Sequence, residues 1–398
     1  MRKVFALIIL VVAVAYVVFR QPSPPGEALL STSEVLQFWG IYDVPEVYQP
    51  IFDEFQKNHP GLEIRYKQFA NQEEYHQLTL QQLKKGKGPD VVLFDEDSFT
   101  EYQPYLTPTD ADYAEGFSKF TEERLVQRGL LYGLPLWTDS LMMYYNKRYY
   151  RDGLKKAWYN FAEQTKKINI SGVAMGRLDN LTSGWDILKA LFLQKHIKLS
   201  GKPENSLYDT LEFFIRFAYP VDRYYNWNER LTRNDPDLEV ESFARERVAA
   251  IAGYSSLFHV LTTKSQQIRD SGQRGIGADE IGIAPFPQFT PDTPVYLGTY
   301  MALGASLHSN NPNLAWEFIR FLTNEKNSLY YQQATGRIPG RVLQLQDADS
   351  ELVKVQKEQL PFVSVLSIAP KTMAKIQGIV QRAVKDKRVL VEILDEEL

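Results

Sequence analysis

The sequence contains no cysteine, and only 5 of its 398 residues are histidine. Without cysteine the chain cannot form disulfides, thiolate metal sites, a cysteine nucleophile or a lipid anchor on an N-terminal cysteine. The histidines are scattered, without the spacing typical of a metal site, at His59, His76, His196, His259 and His308. We therefore expect neither a bound metal nor a cofactor.

The sequence also lacks a marked excess of charge of either sign. Its 45 Lys and Arg residues stand against 49 Asp and Glu residues, for a formal net charge of −4, and no basic tract occurs. This balance gives no indication of nucleic-acid binding. An apolar content of 44% is typical of a soluble globular protein. A chain of this length corresponds to two or three domains of about 100–200 residues each.

One long apolar run, Val4–Phe19, lies near the N-terminus between basic residues. It is slightly longer than the apolar region of a typical signal peptide and slightly shorter than the ~17–25 residues of a membrane span. A possible cleavage site lies at Ala13–Ala15, but cleavage there would leave an apolar end that begins at Tyr16. We therefore predict an uncleaved anchor over residues 1–20, with a cleaved signal as the alternative.

The charge distribution around this run predicts its orientation. Basic residues on its N-terminal side favour a cytoplasmic N-terminus, which places everything after Arg20 outside the cytoplasm. Residues 21–34 are rich in proline and are expected to form a semi-rigid tether. The predicted location is therefore the cell membrane, with a single-pass anchor and an extracytoplasmic soluble region.

Apolar periodicity predicts alternating strands and helices after the tether. Strands are expected at Glu34–Trp39, Leu62–Phe69 and Asp90–Phe94, with helices over Val44–His59 and from Asn71 to about Lys85. This alternation indicates an α/β sheet. The rest of the chain is predicted in the same way, with helices over Lys147–Lys167, Trp185–Lys195, Leu207–Phe217, Asn313–Asn324 and Pro370–Lys387, and strands over Val173–Gly176, Val248–Ala252, Ile281–Pro287 and Val295–Ala305.

The segment Leu130–Lys147 contains two apolar runs with a polar insert, Trp137–Ser140, between them. The first run includes Pro135, which disfavours a central position in a hydrogen-bonded ladder. The second run, Leu141–Tyr145, is typical of a buried strand. Two collinear strands around a polar kink suggest that the chain passes from one sheet into another. A hairpin with one irregular turn is the simpler alternative.

This segment resembles the first crossover of the extracellular solute-binding proteins of family 1, the maltose- and oligosaccharide-binding receptors of ABC importers. The similar segments are Tyr-Gly-Leu-Pro, which begins at Tyr132, and Tyr-Asn-Lys, which ends at Lys147. Gly88–Val92 is similar to the Gly-Pro-Asp-Ile-Ile segment of the family, and Gly336–Gly340 to its Gly-x-x-Pro motif. Together with the other matching segments, the resemblance extends from about Val35 to Lys387.

The resemblance implies an α/β fold with two lobes of the type II periplasmic-binding-protein class, joined by hinge strands and preceded here by the membrane helix. The implied first lobe comprises residues 35–138 and 298–338, and the second comprises residues 139–297 and 339–398. The implied function is that of a monomeric, non-enzymatic substrate-binding protein of an ABC transporter. It would capture an oligosaccharide or related polyol and deliver it to the permease subunits.

Two other functions stay open at this point. An extracellular glycoside hydrolase would need a pair of acids, but no acids occupy the strand ends of an evident barrel. A receptor-like sensor or scaffold that no longer serves transport is suggested by Pro370, which stands where the maltose-binding group places a stacking aromatic residue.

Candidate ligand-binding residues occur at strand ends and at breaks in the periodic pattern, where an open α/β sheet binds ligands. Asp97 and Asp139 match ligand-binding acids of the family, and their removal is expected to weaken binding without unfolding the chain. Tyr and Trp can stack on sugar rings, although core packing is the alternative for each. The remaining candidates are Trp39, Trp137, Trp185, Trp227, Tyr254, Tyr300 and Arg337.

Overall fold

The computed structural model describes residues 34–199, 205–232, 238–342, 350–387 and 390. The apolar run Val4–Phe19, on which the predicted anchor depends, lies outside these residues. Within them, no helix is both long enough and apolar enough to cross a membrane.

The secondary structure alternates between strands and helices along most of the described chain. The strands are β1 (Glu34–Ile41), β2 (Leu62–Phe69), β3 (Val91–Asp95), β4 (Thr109–Asp110), β5 (Val126–Gln127), β6 (Leu130–Leu131), β7 (Leu134–Ser140), β8 (Met142–Asn146), β9 (Ala250–Gly253), β10 (Ile281–Pro285), β11 (Tyr296–Ala305) and β12 (Val363–Ser364). The α-helices are α1 (Pro45–Asn58), α2 (Gln72–Lys84), α3 (Phe99–Tyr102), α4 (Lys119–Leu125), α5 (Trp158–Thr165), α6 (Gly184–Gln194), α7 (Asn205–Ile215), α8 (Leu238–Ala244), α9 (Ser256–Asp270), α10 (Pro312–Leu322), α11 (Glu325–Thr335), α12 (Glu351–Gln359) and α13 (Pro370–Ala383).

The larger sheet has the strand order β12-β11-β3-β1-β2, and β7 also pairs with β11. The strands β2, β1 and β3 are parallel, whereas β11 runs antiparallel to β3 and β7. Val91–Phe94 in β3 are all buried, as expected for a strand covered on both faces. We call this sheet and the helices packed on it lobe one.

A second, antiparallel sheet has the order β10-β8-β9. Alternate residues of β8 enter different hydrophobic clusters, Met143 and Tyr145 on one side and Met142 and Tyr144 on the other. Side chains of a strand point alternately to opposite faces, so this sheet is also covered on both faces. We call this sheet and its helices lobe two.

The predicted passage between two sheets is confirmed at the junction of β7 and β8. The change of sheet occurs at Leu141, whose N–H donates to the carbonyl of Leu297 at 2.9 Å. Pro135 lies in β7 beside a shift in the register with β11, where a missing N–H is tolerated. The segment around Pro339 runs along the other edge of β7, because Thr138 donates to Ile338 and Gly340 donates to Leu136.

Two predicted elements are wrong. Val173–Gly176 is not a strand, although the N–H of Ala174 donates to the carbonyl of Ala250 in β9. The predicted helix Lys147–Lys167 is helical only over α5, since the chain first makes a turn that includes Gly153 at φ 71°. Glycine readily adopts this left-handed conformation, which interrupts a helix.

The close approach of the segment around Pro339 to β7 requires glycine at position 340. A Cβ there would lie 2.2 Å from the carbonyl oxygen of Pro135. Gly340→Ala is therefore expected to destabilise the protein by about 1–3 kcal/mol, measured by chemical denaturation. The matched control is Gly378→Ala in α13, where a Cβ meets nothing within 4 Å. That change should be neutral or stabilise by up to about 1 kcal/mol, and equal effects of the two substitutions would contradict this account.

Candidate functional site

A cavity of about 360 Å³ lies between the two lobes. Its walls come mainly from strand ends and from the turns that follow them, the usual place for ligands in α/β sheets. For example, Tyr42 follows β1, Asp95 ends β3 and Tyr254 follows β9. The lining residues are Tyr42, Gln72, Asp95, Trp137, Asp139, Tyr254, Ser255, Ser256, Thr299, Met301 and Arg337.

The guanidinium group of Arg337 lies between two aromatic rings at the wall of this cavity. Its central carbon is 5.1 Å from the ring centroid of Tyr42 and 5.1 Å from that of Trp137. Its Nε lies 3.5 Å from Oδ1 of Asp43, whose other oxygen accepts hydrogen bonds from two buried tyrosine hydroxyls. Cation–π contacts and this ion pair therefore hold the guanidinium in a defined plane.

Tyr42 links Arg337 to the end of β3. Its hydroxyl donates to Gln72 at 2.7 Å, and the Gln72 amide donates to Asp95 at 2.5 Å. Asp95 also accepts hydrogen bonds from the N–H and the hydroxyl of Ser98. Tyr42 has a φ of 71°, which is uncommon for a bulky residue and often marks a functional site.

Asp139 is buried and its carboxylate is fully hydrogen-bonded. One oxygen accepts from the N–H and the hydroxyl of Ser255 in lobe two, at 2.8 and 2.5 Å. The other accepts from the N–H of Ser140 and from Gln356 of α12. Burial raises the pKa of Asp139 to about 6 despite these donors. Asp139 is a structural link between elements, so the expectation that its removal spares the fold is not supported.

Asp97 forms an ion pair across the cleft. Its Oδ2 lies 2.9 Å from the Nζ of Lys189 in α6, and the Lys189 side chain is only 7% exposed. Burial lowers the pKa of Lys189, but Asp97 and Asp186 outweigh this effect and raise it overall. Asp186, one turn earlier in α6, also interacts with the hydroxyl of Tyr254, and burial raises its pKa to about 6.

Four of the nine predicted ligand-binding residues line the cavity together: Trp137, Asp139, Tyr254 and Arg337. Asp97 reaches lobe two through Lys189, and Trp185 is half-buried against the core of lobe two.

Three of the predicted residues are packed elsewhere. Trp39 packs against Phe69, at a centroid distance of 5.4 Å. Trp227 is fully buried, and its Nε1 donates to Asn180. Tyr300 is fully buried, with its ring 6.5 Å from that of Phe120. These three residues take part in core packing, which was the alternative to ligand binding.

The sequence reasoning missed Tyr42 and the pair formed by Asp186 and Lys189. A signal for the pair was present, because two opposite charges three residues apart interrupt the otherwise apolar helix Gly184–Gln194. Tyr42 carried a weaker signal, its position directly after a predicted strand. Over the described residues, no group of three or more His, Cys, Asp or Glu side chains could hold a metal ion.

Comparisons with known proteins connect this geometry to one family. A family model described as bacterial extracellular solute-binding protein matches residues 43–328. The fold is similar to that of an ABC-transporter solute-binding protein from Thermotoga lettingae bound with alpha-D-tagatose, with 19% identity, a TM-score of 0.67, and coverage of 92% of this chain and 98% of that chain.

Two further structures share the fold. The sugar-binding protein MalE from Xanthomonas citri has 14% identity and a TM-score of 0.73, covering 90% of this chain and 95% of that chain. UgpB from Mycobacterium tuberculosis in complex with glycerophosphocholine has 18% identity and a TM-score of 0.71, covering 91% of this chain and 96% of that chain. These likenesses confirm the two-lobe α/β architecture of periplasmic binding proteins.

Glu96 should make stability depend on pH. Its Oε2 accepts a hydrogen bond from Thr299 at 2.9 Å, and burial, followed by Asp95 and Asp97, raises its pKa from 4.5 to about 8. The folded state favours the protonated form of Glu96. The contribution of this group to the free energy of unfolding is therefore fully present below pH 4.5 and is lost as the pH rises through about 8. The melting temperature should therefore fall over this range, and Glu96→Gln should reduce the fall.

The matched control is Glu123→Gln, since the side chain of Glu123 is 67% exposed and its partner, Lys119, stays charged over this pH range. It should leave the pH profile of the melting temperature unchanged. Identical profiles for the wild type and Glu96→Gln would contradict the assigned role of Glu96.

Proposed function

Since the chain belongs to the family of bacterial extracellular solute-binding proteins, we propose that it is the substrate-binding component of an ABC transporter. It captures a carbohydrate, an oligosaccharide or related polyol, between its lobes and delivers it to the permease subunits. The observation that carries this proposal is the cavity between the lobes, with aromatic rings and one stacked guanidinium in its walls.

The chemistry of the cavity suits a carbohydrate. The rings of Tyr42, Trp137 and Tyr254 offer faces for the apolar side of a sugar ring. Among the residues that the structure describes, no group accepts a hydrogen bond from the terminal guanidinium nitrogens of Arg337. These nitrogens are therefore available to hydroxyl oxygens of a ligand, in a planar arrangement that favours paired contacts.

A carbohydrate-binding function is better supported than the hydrolysis of a glycoside. A glycosidase requires carboxyl groups that contact the reacting oxygen as acid, base or nucleophile. Asp95 and Asp139, the acids that line the cavity, already accept hydrogen bonds from protein donors on both of their oxygens. Neither is presented to a substrate as a free carboxyl group.

Closure of the lobes would complete the site. The chain crosses between the lobes at the β7–β8 junction, and β11 and the segment around Pro339 lie beside it. A ligand that contacts both lobes stabilises their closed arrangement. The cavity is lined by residues on both sides of the cleft within one chain, and the receptor is proposed to act as a monomer.

The proposal predicts that Trp137 contributes to binding and Trp39 does not. Native mass spectrometry of the full chain, purified from its own cells, would identify a bound carbohydrate. Trp137→Leu should lower the affinity for that ligand, measured by calorimetry, on the order of ten- to a hundredfold, because the substitution removes a ring face from the cavity. Trp39→Leu is the matched control and should keep the affinity. Equal losses, or no loss from Trp137→Leu, would place the site elsewhere.

We also propose that the apolar run Val4–Phe19 anchors this receptor in the membrane, with its soluble region outside the cytoplasm. The length of the run and the basic residues around it support this assignment. N-terminal sequencing of the protein from its own membranes should begin at or near Met1. A start at Tyr16 or later would show that the segment is a cleaved signal.

A further inference from the structure

Three consecutive acids, Asp95, Glu96 and Asp97, lie where β3 ends beside the cavity. Asp95 lines the cavity, and Asp97 extends across the cleft to α6. The Oε2 atom of Glu96 accepts hydrogen bonds from the hydroxyl of Thr299 at 2.9 Å and from the N–H of Tyr300 at 3.3 Å. Since Thr299 also lines the cavity, Glu96 is one hydrogen bond away from the ligand site.

The partners of Glu96 lie next to the passage between the lobes. Thr299 and Tyr300 belong to β11, and Thr299 is paired there with Asp139 of β7. The backbone carbonyl of Glu96 also accepts a hydrogen bond from the hydroxyl of Ser367 at 3.2 Å. Glu96 therefore connects the end of β3 to the strand beside the crossing, so a change in its charge is expected to affect the cavity wall.

The surroundings of Glu96 favour its protonated form. Burial, followed by the charges of Asp95 and Asp97, raises its pKa to about 8. The nearby ammonium group of Lys189 is paired with Asp97, at 2.9 Å. Over the part of the chain that the structure describes, Glu96 itself forms no ion pair with a lysine or arginine. The repulsion from its two neighbours is therefore not cancelled by a cation of its own.

Other ionisable groups around Glu96 change charge outside the range in which it titrates. Asp139 and Asp186 ionise at lower pH, because burial raises the pKa of each only to about 6. Burial raises the pKa values of the tyrosines that face Glu96, and the pKa of Lys189 is raised overall, so these groups titrate at higher pH. The tyrosines are Tyr42 after β1, Tyr254 after β9 and Tyr300 in β11, and Arg124 of α4 interacts with Tyr300.

We propose that Glu96 couples ligand binding to protonation: the protein binds its carbohydrate more tightly when Glu96 is protonated, and binding takes up a proton from solution. This inference rests on the proposed carbohydrate-binding function. It assigns Glu96 as a positioning residue, which acts on the ligand through the hydroxyl of Thr299 and through the charge of Asp95.

The position of the acids gives the direction of the coupling. A ligand that fills the cavity replaces water beside Asp95 and Thr299. The repulsion between Asp95 and an ionised Glu96 then increases, because the loss of water lowers the local dielectric constant. Protonation of Glu96 removes this repulsion. Because linkage is reciprocal, a ligand that binds the protonated form more tightly also raises the protonated fraction.

The first test measures affinity against pH for the full chain in a mild detergent. A screen of neutral mono- to tetrasaccharides provides the probe, the sugar that binds most tightly, and such a probe does not change charge over this range. In calorimetry, wild-type affinity for the probe should fall by about three- to tenfold between about pH 7 and about pH 9.5. Glu96→Gln keeps an acceptor for Thr299 but cannot ionise, so this fall should be absent from the variant.

The second measurement counts protons and can be made on the wild type alone. Calorimetry near pH 8, in two buffers that differ in ionisation enthalpy, gives the number of protons exchanged on binding. The wild type should take up about 0.2–0.5 proton per bound sugar, and Glu96→Gln should take up about none. A purely structural role of Glu96 would not produce proton uptake when a sugar binds to the folded protein.

Two further variants make the result decisive. Asp97→Asn replaces Glu96→Gln if the latter does not fold: removal of a neighbouring negative charge lowers the pKa of Glu96, so affinity should fall at a lower pH than in the wild type. The matched control is Glu123→Gln in α4, because Glu123 is 67% exposed and does not line the cavity. It should keep the wild-type dependence on pH.

The outcomes separate this inference from the proposed function. Wild-type affinity that does not change with pH, or proton release on binding, would overturn the coupling and leave carbohydrate capture intact. The same fall in the wild type and in Glu96→Gln would also overturn it, since another group would then cause the pH dependence. No binding of any sugar of the screen at any pH would overturn both proposals.

Discussion

The buried carboxylate of Asp139 is the interaction on which the relation between the two lobes depends. It lies on a strand of lobe one, accepts two hydrogen bonds from Ser255 of lobe two, and accepts another from Gln356. A buried carboxylate is costly unless donors surround it, and these donors come from two parts of the chain that are distant in sequence from Asp139. Its raised pKa shows that the donors do not fully offset burial. The carboxylate thus favours one arrangement of the crossing, and the cavity forms beside it.

The cost of burying a polar group without partners also explains how the acids of the cleft are arranged. Asp43, Asp95 and Glu96 each accept hydrogen bonds from neighbouring side chains, and Asp97 is paired with Lys189. These acids thereby help to hold the protein together. Among the described residues that line the cavity, the aromatic faces and the guanidinium of Arg337 are groups that a ligand can contact. These are groups that suit a neutral, hydroxyl-rich molecule.

The aromatic residues show why the sequence alone could not tell which predicted side chains line the cavity. Trp137 and Tyr254 border the cavity, whereas Trp39, Trp227 and Tyr300 pack into cores. All five lie in or near strands or in loops, so local pattern does not distinguish them. Which way a ring faces depends on the sheet face and on the neighbouring lobe. Neither can be inferred from the spacing of apolar residues along one segment.

The sequence by itself determined the local elements and the change of sheet. The strand Leu62–Phe69 has the predicted bounds, and Asn71 accepts the predicted capping hydrogen bond from Glu74. Apolar periodicity, helix caps and Gly or Pro residues act within a few positions along the chain, so their effects can be predicted from the sequence alone. Only the tertiary structure decided the cross-cleft contacts. Asp97 and Lys189 are 92 positions apart, and they meet only because two independently packed lobes face each other across a common hinge.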